Sequence, residues 1–166
     1  MLYSLLMKRF IFSLFILTSV ISCKKEASFS TIPAIEFKQF IAYNIDSADC
    51  TISFKDGDGD VGVLSGDTNS FNLKMKYLYK NSAGNFVAYD ADPGTLVFDT
   101  LFYAFRIKTI TPDGQYKAID GDITAQLRAA PIFNPKHSVV KFSINLWDRA
   151  GHESNTVMTN EITVPK

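Results

Sequence analysis

Three aspartates stand at alternate positions in Asp56-Gly57-Asp58-Gly59-Asp60-Val61-Gly62, and their carboxylates are hard oxygen ligands. The intervening glycines let the backbone curl, so all three can be aimed at one centre, a donor set suited to Ca²⁺. Carboxylates held close together repel one another, and a cation relieves that cost more directly than solvent does. The same run also fits a solvated inter-strand loop, because Asp-Gly pairs supply positive φ angles and a polar surface.

The spacing resembles the first half of known calcium loops but departs from the EF-hand. Val61 stands sixth where that loop needs glycine, Asp67 stands twelfth where it needs glutamate, and no helical pattern flanks the run. A second polar stretch, Asp148-Arg149-Ala150-Gly151-His152-Glu153-Ser154-Asn155, offers further oxygens. Asp148, Glu153 or Asn155 can complete a shell begun by Asp56, Asp58 and Asp60, and the expected ligand set is Asp56, Asp58, Asp60, Asp148 and Asn155. Asp120-Gly121-Asp122 is a weaker echo that also fits a turn or an exposed strand edge.

Other chemistry has less support. His137 and His152 are the only histidines, and neither a His-Glu-x-x-His pair nor a Gly-x-Ser-x-Gly turn occurs. Carboxylate spacing in sequence cannot establish a glycosidase pair facing a sugar, so no enzyme is expected. Trp147 is out of phase with Phe142, Ile144 and Leu146. It either packs in a second layer or offers a flat surface to a sugar ring or a partner.

The elements that must position these residues are strands. From Ile35 onward the apolar period is two, most clearly in Phe71-Asn72-Leu73-Lys74-Met75-Lys76-Tyr77 and in Val140, Phe142, Ile144 and Leu146. Asn81-Ser82-Ala83-Gly84-Asn85 turns the first of these into Phe86-Val87-Ala88-Tyr89, a hairpin signature. Further strands are predicted at about 34–43, 50–55, 96–110, 116–128 and 156–164, with turn residues between them. Tyr103-Ala104-Phe105-Arg106 has some helical propensity, but its β-branched flanks and the turn Thr111-Pro112-Asp113-Gly114 favour a strand. Cys50 alternates in phase with Ile52 and Phe54 and reads as a small core residue. Seven or more short strands in residues 34–166 predict a single all-β, immunoglobulin-like or fibronectin-like antiparallel sandwich. With 50–55 as strand B and 71–80 as strand C, the acidic loop joins B to C and residues 148–155 join F to G. Both connections then lie at the same pole.

The N-terminus has a different character. Lys8 and Arg9 precede an apolar stretch from Phe10 to Ile21, too short for the ~20 residues of a membrane span. Met7 would itself make an ordinary signal start, so Met1 or Met7 could begin the chain. Val20-Ile21-Ser22-Cys23 resembles the lipobox of bacterial lipoproteins. That resemblance implies cleavage after Ser22, a diacylglycerol on the Cys23 sulfur and an acyl chain, such as palmitate, on its amino group; the alternative is an ordinary cysteine beyond a conventional cleavage site. Two or more chains hold a protein on a membrane, whereas one does so marginally. Residues 1–22 are thus expected to be a signal peptide, and 23–33 a lipidated cysteine and tether with a reach of ~17 Å. Removing residues 1–22 takes away Lys8 and Arg9 and no acid, leaving 144 residues with 15 basic and 17 acidic side chains. Such a chain has no basic field for nucleic acid and, once Cys23 is modified, no second thiol with which Cys50 could form a disulfide.

Lys24-Lys25-Glu26 resembles the lysine-then-acid signals of Bacteroidota surface lipoproteins, with one acidic residue where those carry more. Position 24 is not Asp, so the usual inner-membrane retention signal of other Gram-negative bacteria is absent. Together with Phe54–Gly62, Thr111-Pro112-Asp113-Gly114, Lys117–Ile123, Asp148–His152 and Ser154–Val157, the chain resembles small Bacteroidota outer-membrane lipoproteins of uncharacterised function. The resemblance implies lipidation and an immunoglobulin-like fold, but no activity. Two functional readings follow. One is an anchored, non-catalytic interaction or accessory module, stabilised by calcium, that presents loops to a protein partner. The other is a carbohydrate-binding lipoprotein of an outer-membrane glycan uptake system, using Trp147. Either membrane face is compatible with the sequence.

Overall fold

The computed structural model describes residues 29–90, 94, 100–109, 117–130 and 137–165. The expected signal peptide, Cys23 and the first tether residues lie outside this set, as does the turn at 111–114. The described residues form nine strands: β1 (Ala34–Asn44), β2 (Ser47–Asp56), β3 (Leu73–Lys80), β4 (Phe86–Ala88), β5 (Phe102–Phe105), β6 (Ile119–Leu127), β7 (Val139–Leu146), β8 (Val157–Met158) and β9 (Ile162–Thr163). Among the described residues there is no helix.

All strand pairs are antiparallel. The smaller sheet has the order β1-β2-β6. In the larger, β3 pairs along its length with β7, while its other edge is shared by β5 at Leu73–Lys76 and β4 at Leu78–Lys80. The free edge of β7 is shared in the same way by β8 and β9. Lettered A, B, C, C′, E, F and G, strands β1, β2, β3, β4, β6, β7 and β8–β9 divide into A-B-E and C′-C-F-G, the division of an immunoglobulin-like or fibronectin-like sandwich. The ladder between β1 and β2 is interrupted twice, between Phe37 and Gln39 and between Ala42 and Asn44.

The alternation sets the core. Ala48, Cys50, Ile52 and Phe54 of β2 point inward, opposed by Leu73, Met75 and Tyr77 of β3 and by Val140, Phe142, Ile144 and Leu146 of β7. Phe40 of β1 stacks on Phe142 of β7 at 5.4 Å between ring centroids, joining the sheets. Cys50 is buried as expected. The Tyr103 region forms a strand, but within the expected 96–110 segment the described residues place strand only at Phe102–Phe105. Asp120-Gly121-Asp122 lies within β6, where Asp122 meets Lys38 of β1 at 2.7 Å, so the weaker acidic echo is an exposed strand segment.

The tether differs from expectation. The Gly57 N–H donates to the Ser30 carbonyl at 2.8 Å, the Ile32 N–H donates to Ser30 Oγ at 3.0 Å, and Pro33 is fully buried. The last residues of the expected tether, Phe29–Pro33, are therefore packed against the domain. Gly57 makes this approach possible, because a Cβ there would stand 2.4 Å from the Phe29 carbonyl oxygen.

Candidate metal centre

Strand β2 points Ala48, Cys50, Ile52 and Phe54 inward, and the next inward position is Asp56, which is 0% exposed. Strand β7 does the same with Val140, Phe142, Ile144 and Leu146, and two residues on stands Asp148 at 7%. Each strand ends its apolar phase with a buried acid, and the two acids meet at one pole.

The connections carrying them are joined by hydrogen bonds. The Asp60 carbonyl accepts from the Arg149 N–H at 3.2 Å, Asp60 Oδ2 accepts from the Ala150 N–H at 3.1 Å, and Val61 forms a β-bridge with Asp148. The Asp60 N–H folds back onto Asp56 Oδ2 at 2.9 Å, a curl helped by Gly59 at φ 67°. Gly62, at φ 105°, brings the loop against the backbone of Lys108 and Thr109, and the Val63 N–H donates to the Ile107 carbonyl. Asp148 is held from its own loop. Its Oδ1 accepts the His152 N–H and its Oδ2 lies beside His152 Nδ1, both at 2.8 Å.

Asp56, Asp60 and Asp148 each offer one oxygen, and these oxygens lie within 4.8 Å of one another. Oxygens sharing one Ca²⁺ at 2.3–2.6 Å stand at most about 5 Å apart, so the spacing fits such an ion. Asp56 Oδ1, Asp58 Oδ1 and Asp60 Oδ1 are all buried without a hydrogen-bond donor. A buried carboxylate oxygen left unpaired is costly, and here three such atoms occur in one five-residue stretch.

The electrostatics agree. Burial pushes the Asp56 carboxyl up to about 6, and the charges of Asp58 and Asp60 add to the shift, while the Asp60 and Gly59 N–H groups oppose it. Burial also raises Asp60, followed by the charges of Asp148 and Asp58, against the Ala150 N–H and Arg149. His152 is raised by its hydrogen bond to Asp148 and then by the Asp148 charge. Such mutual repulsion is what a bound cation relieves.

Not every expected ligand is in the cluster. Asn155 requires correction: its Oδ1 accepts the Ile35 N–H and its Nδ2 donates to the Ile35 carbonyl, both at 2.8 Å. With both side-chain heads spent on the start of β1, Asn155 is a strand clamp and not a ligand. Glu153 accepts from Asn145 Nδ2 at 2.9 Å. Asp58 supplies one of the three unpaired oxygens but is not among the three mutually close ligands.

Trp147 is half-buried and points away from the core face, as its phase predicts. Lys74 Nζ lies 5.1 Å over its ring, a cation–π contact. The ring borders a groove of about 390 Å³ lined also by Leu64, Phe71, Asn72, Lys74 and Arg149. Asn72, a polar position of the alternating 71–77 run, is buried rather than solvent-facing. Its Oδ1 accepts the Ile107 N–H and its carbonyl accepts the Trp147 N–H, at 2.8 Å each, while its buried Nδ2 has no acceptor. Its one signal is a polar residue just before the first inward residue of β3. The histidines stand apart, His137 just before β7 and His152 beyond its end. No protein-family model, curated protein or solved structure matches the chain.

Proposed function

We propose that this chain is a membrane-anchored lipoprotein that acts as a non-catalytic interaction or accessory module, with Ca²⁺ fastening the β2–β3 and β7–β8 connections. Three buried carboxylate oxygens without donors, beside a fourth acid from the other loop, carry the reading. Asp56, Asp60 and Asp148 would hold the ion, with Asp58 next to them. In that role the ion is structural: it joins two loops and cancels repulsion. The anchor is supported by the leader and Cys23, and the outer membrane, on either face, by Lys24-Lys25-Glu26 with no Asp at position 24.

Glycan binding through Trp147 is the second reading, favoured by the groove beside the ring. It ranks lower because the Lys74 ammonium already lies over the ring and competes for its π surface.

The test is a melting curve of the mature chain carrying Cys23→Ser, in excess calcium and in chelator, repeated for Asp58→Asn. A ligand at a hundred times its Kd stabilises by about 2.7 kcal/mol, so a rise of several degrees is expected, reduced in the variant. The same melting temperature in calcium and chelator refutes the ion. A glycan array read with wild type and Trp147→Ala tests the second reading, which requires saturable binding that the variant loses.

A further inference from the structure

The chain enters the domain at the acidic loop. Ser30 is hydrogen-bonded to Gly57, between Asp56 and Asp58, and Lys55 Nζ lies 5.8 Å from the Phe29 ring centroid. Cys23 is six residues before Phe29, a distance of at most ~20 Å even fully extended. The opposite pole, where β1 turns into β2, is a further ~33 Å away along β1 at ~3.3 Å per residue. An anchor at Cys23 thus limits how far the carboxylate pole can stand from the lipid, whereas the opposite pole is bounded only by the link and the length of β1 together.

This pole also carries what an interfacial surface needs. Ile32, Leu64 and Phe71 are 51%, 61% and 49% exposed, large apolar side chains facing solvent beside the loops. Leu64 borders two adjoining clefts, one shared with Phe71, Trp147 and Arg149 and the other with Arg106 and Lys108. Lys55, Arg106, Lys108 and Arg149 are exposed. Without a cation, the four charges of Asp56, Asp58, Asp60 and Asp148 offset these four bases and leave no net attraction for an anionic surface. One Ca²⁺ contributes two positive charges within the cluster and tips the pole towards the bases.

From this geometry we propose that the acidic pole is the membrane-facing pole, and that calcium loading docks it onto anionic phospholipid, with Leu64 and Phe71 entering the interface. The proposal rests on the calcium and anchor readings above. Lipid is favoured over a protein partner because the chain's own attachment holds this pole within reach of the bilayer. A cation-dependent gain of positive charge beside exposed apolar side chains supplies both contributions to interfacial binding, apolar burial and attraction to anionic lipid.

Flotation of the mature Cys23→Ser chain with vesicles tests it, using pure phosphatidylcholine or equal parts phosphatidylcholine and phosphatidylglycerol, in calcium or chelator. The expected result is flotation with the anionic vesicles in calcium only. The Leu64→Ser, Phe71→Ser double variant should bind at least about tenfold more weakly, since each side chain otherwise buries apolar area. Its calcium-induced rise in melting temperature should be unchanged, because both side chains are exposed. A rise in melting temperature without flotation overturns the membrane contact and leaves the ion in place. No rise overturns both. Flotation equal in chelator overturns the cation-dependent charge step, and mass spectrometry of native protein with an unacylated Cys23 overturns the orientation.

Discussion

Replacing Asp56 by Asn should have opposite consequences with and without calcium. Asp56 is fully buried, and its carboxyl is raised from 3.8 to about 6. A group whose folded pKa is raised stabilises the fold fully below its unfolded value and loses that contribution as pH rises through the folded value. Near neutral pH in chelator, Asp56 is therefore ionised at a cost, and a shift of about two units corresponds to ~3 kcal/mol. Asparagine keeps an oxygen for the Asp60 N–H, removes the charge, and turns a donor towards acceptors that lack one. In chelator at about pH 7.5, Asp56→Asn should melt higher than wild type by up to roughly 10 °C. Wild type should show a loss of stability from about pH 4 to about pH 6 that the variant lacks. In calcium the order should narrow or reverse, because wild type gains the binding free energy and the variant has lost a ligand. Differential scanning calorimetry in both buffers provides the measurement. A variant that melts below wild type in chelator, or gains as much from calcium, would refute the argument that this carboxylate is held at a cost for an ion.

Three further outcomes are expected. Asn155→Ala strips partners from both backbone groups of buried Ile35 and should cost about 1–3 kcal/mol in urea unfolding, with faster amide exchange at Ile35. His137 lies 3.0 Å from the Tyr77 hydroxyl and stacks on Tyr79 at 3.9 Å, and burial lowers its pKa from 6.5. Its contribution is present above 6.5 and lost as pH falls through the lowered value, so the urea midpoint should fall on acidification more in wild type than in His137→Phe. Burial pushes the Cys50 thiol up to about 12, so iodoacetamide should leave it unmodified in the native protein and alkylate it on unfolding, as followed by intact mass.

The strands were legible because each exposes one face, and a period of two survives any detail of pairing. Residues 50–55 and 140–146 fall within β2 and β7, and the 71–80 run contains β3. Segment 156–164 reads as one strand but forms two short ones, because the edge of β7 is divided between Val157–Met158 and Ile162–Thr163. Long-range pairing of that kind leaves no local signature. The acidic loop was visible from composition, and its convergence with Asp148 followed from strand order. A stronger sign was also present: Asp56 and Asp148 each continue an inward apolar phase, where a carboxylate is costly unless something compensates it. Asn155 was misjudged because its amide resembles a ligand in sequence, while its actual partner, Ile35, lies 120 residues away. The docking of Ser30 on Gly57 was equally invisible, since it depends on a glycine read only as a turn residue.

The two interruptions in the β1 ladder have a consequence for crowding. A chain held on a bilayer meets its own copies in two dimensions at high local density, where an open sheet edge is a template for self-addition. β1 ends the smaller sheet, yet it keeps regular register for no more than four consecutive residues before each irregularity. Both edges of the larger sheet are strands of two to four residues. Three of the four sheet borders therefore give neighbouring copies little straight backbone to extend, while β6, nine residues in unbroken register with β2, is the border among the described strands where a second copy can add.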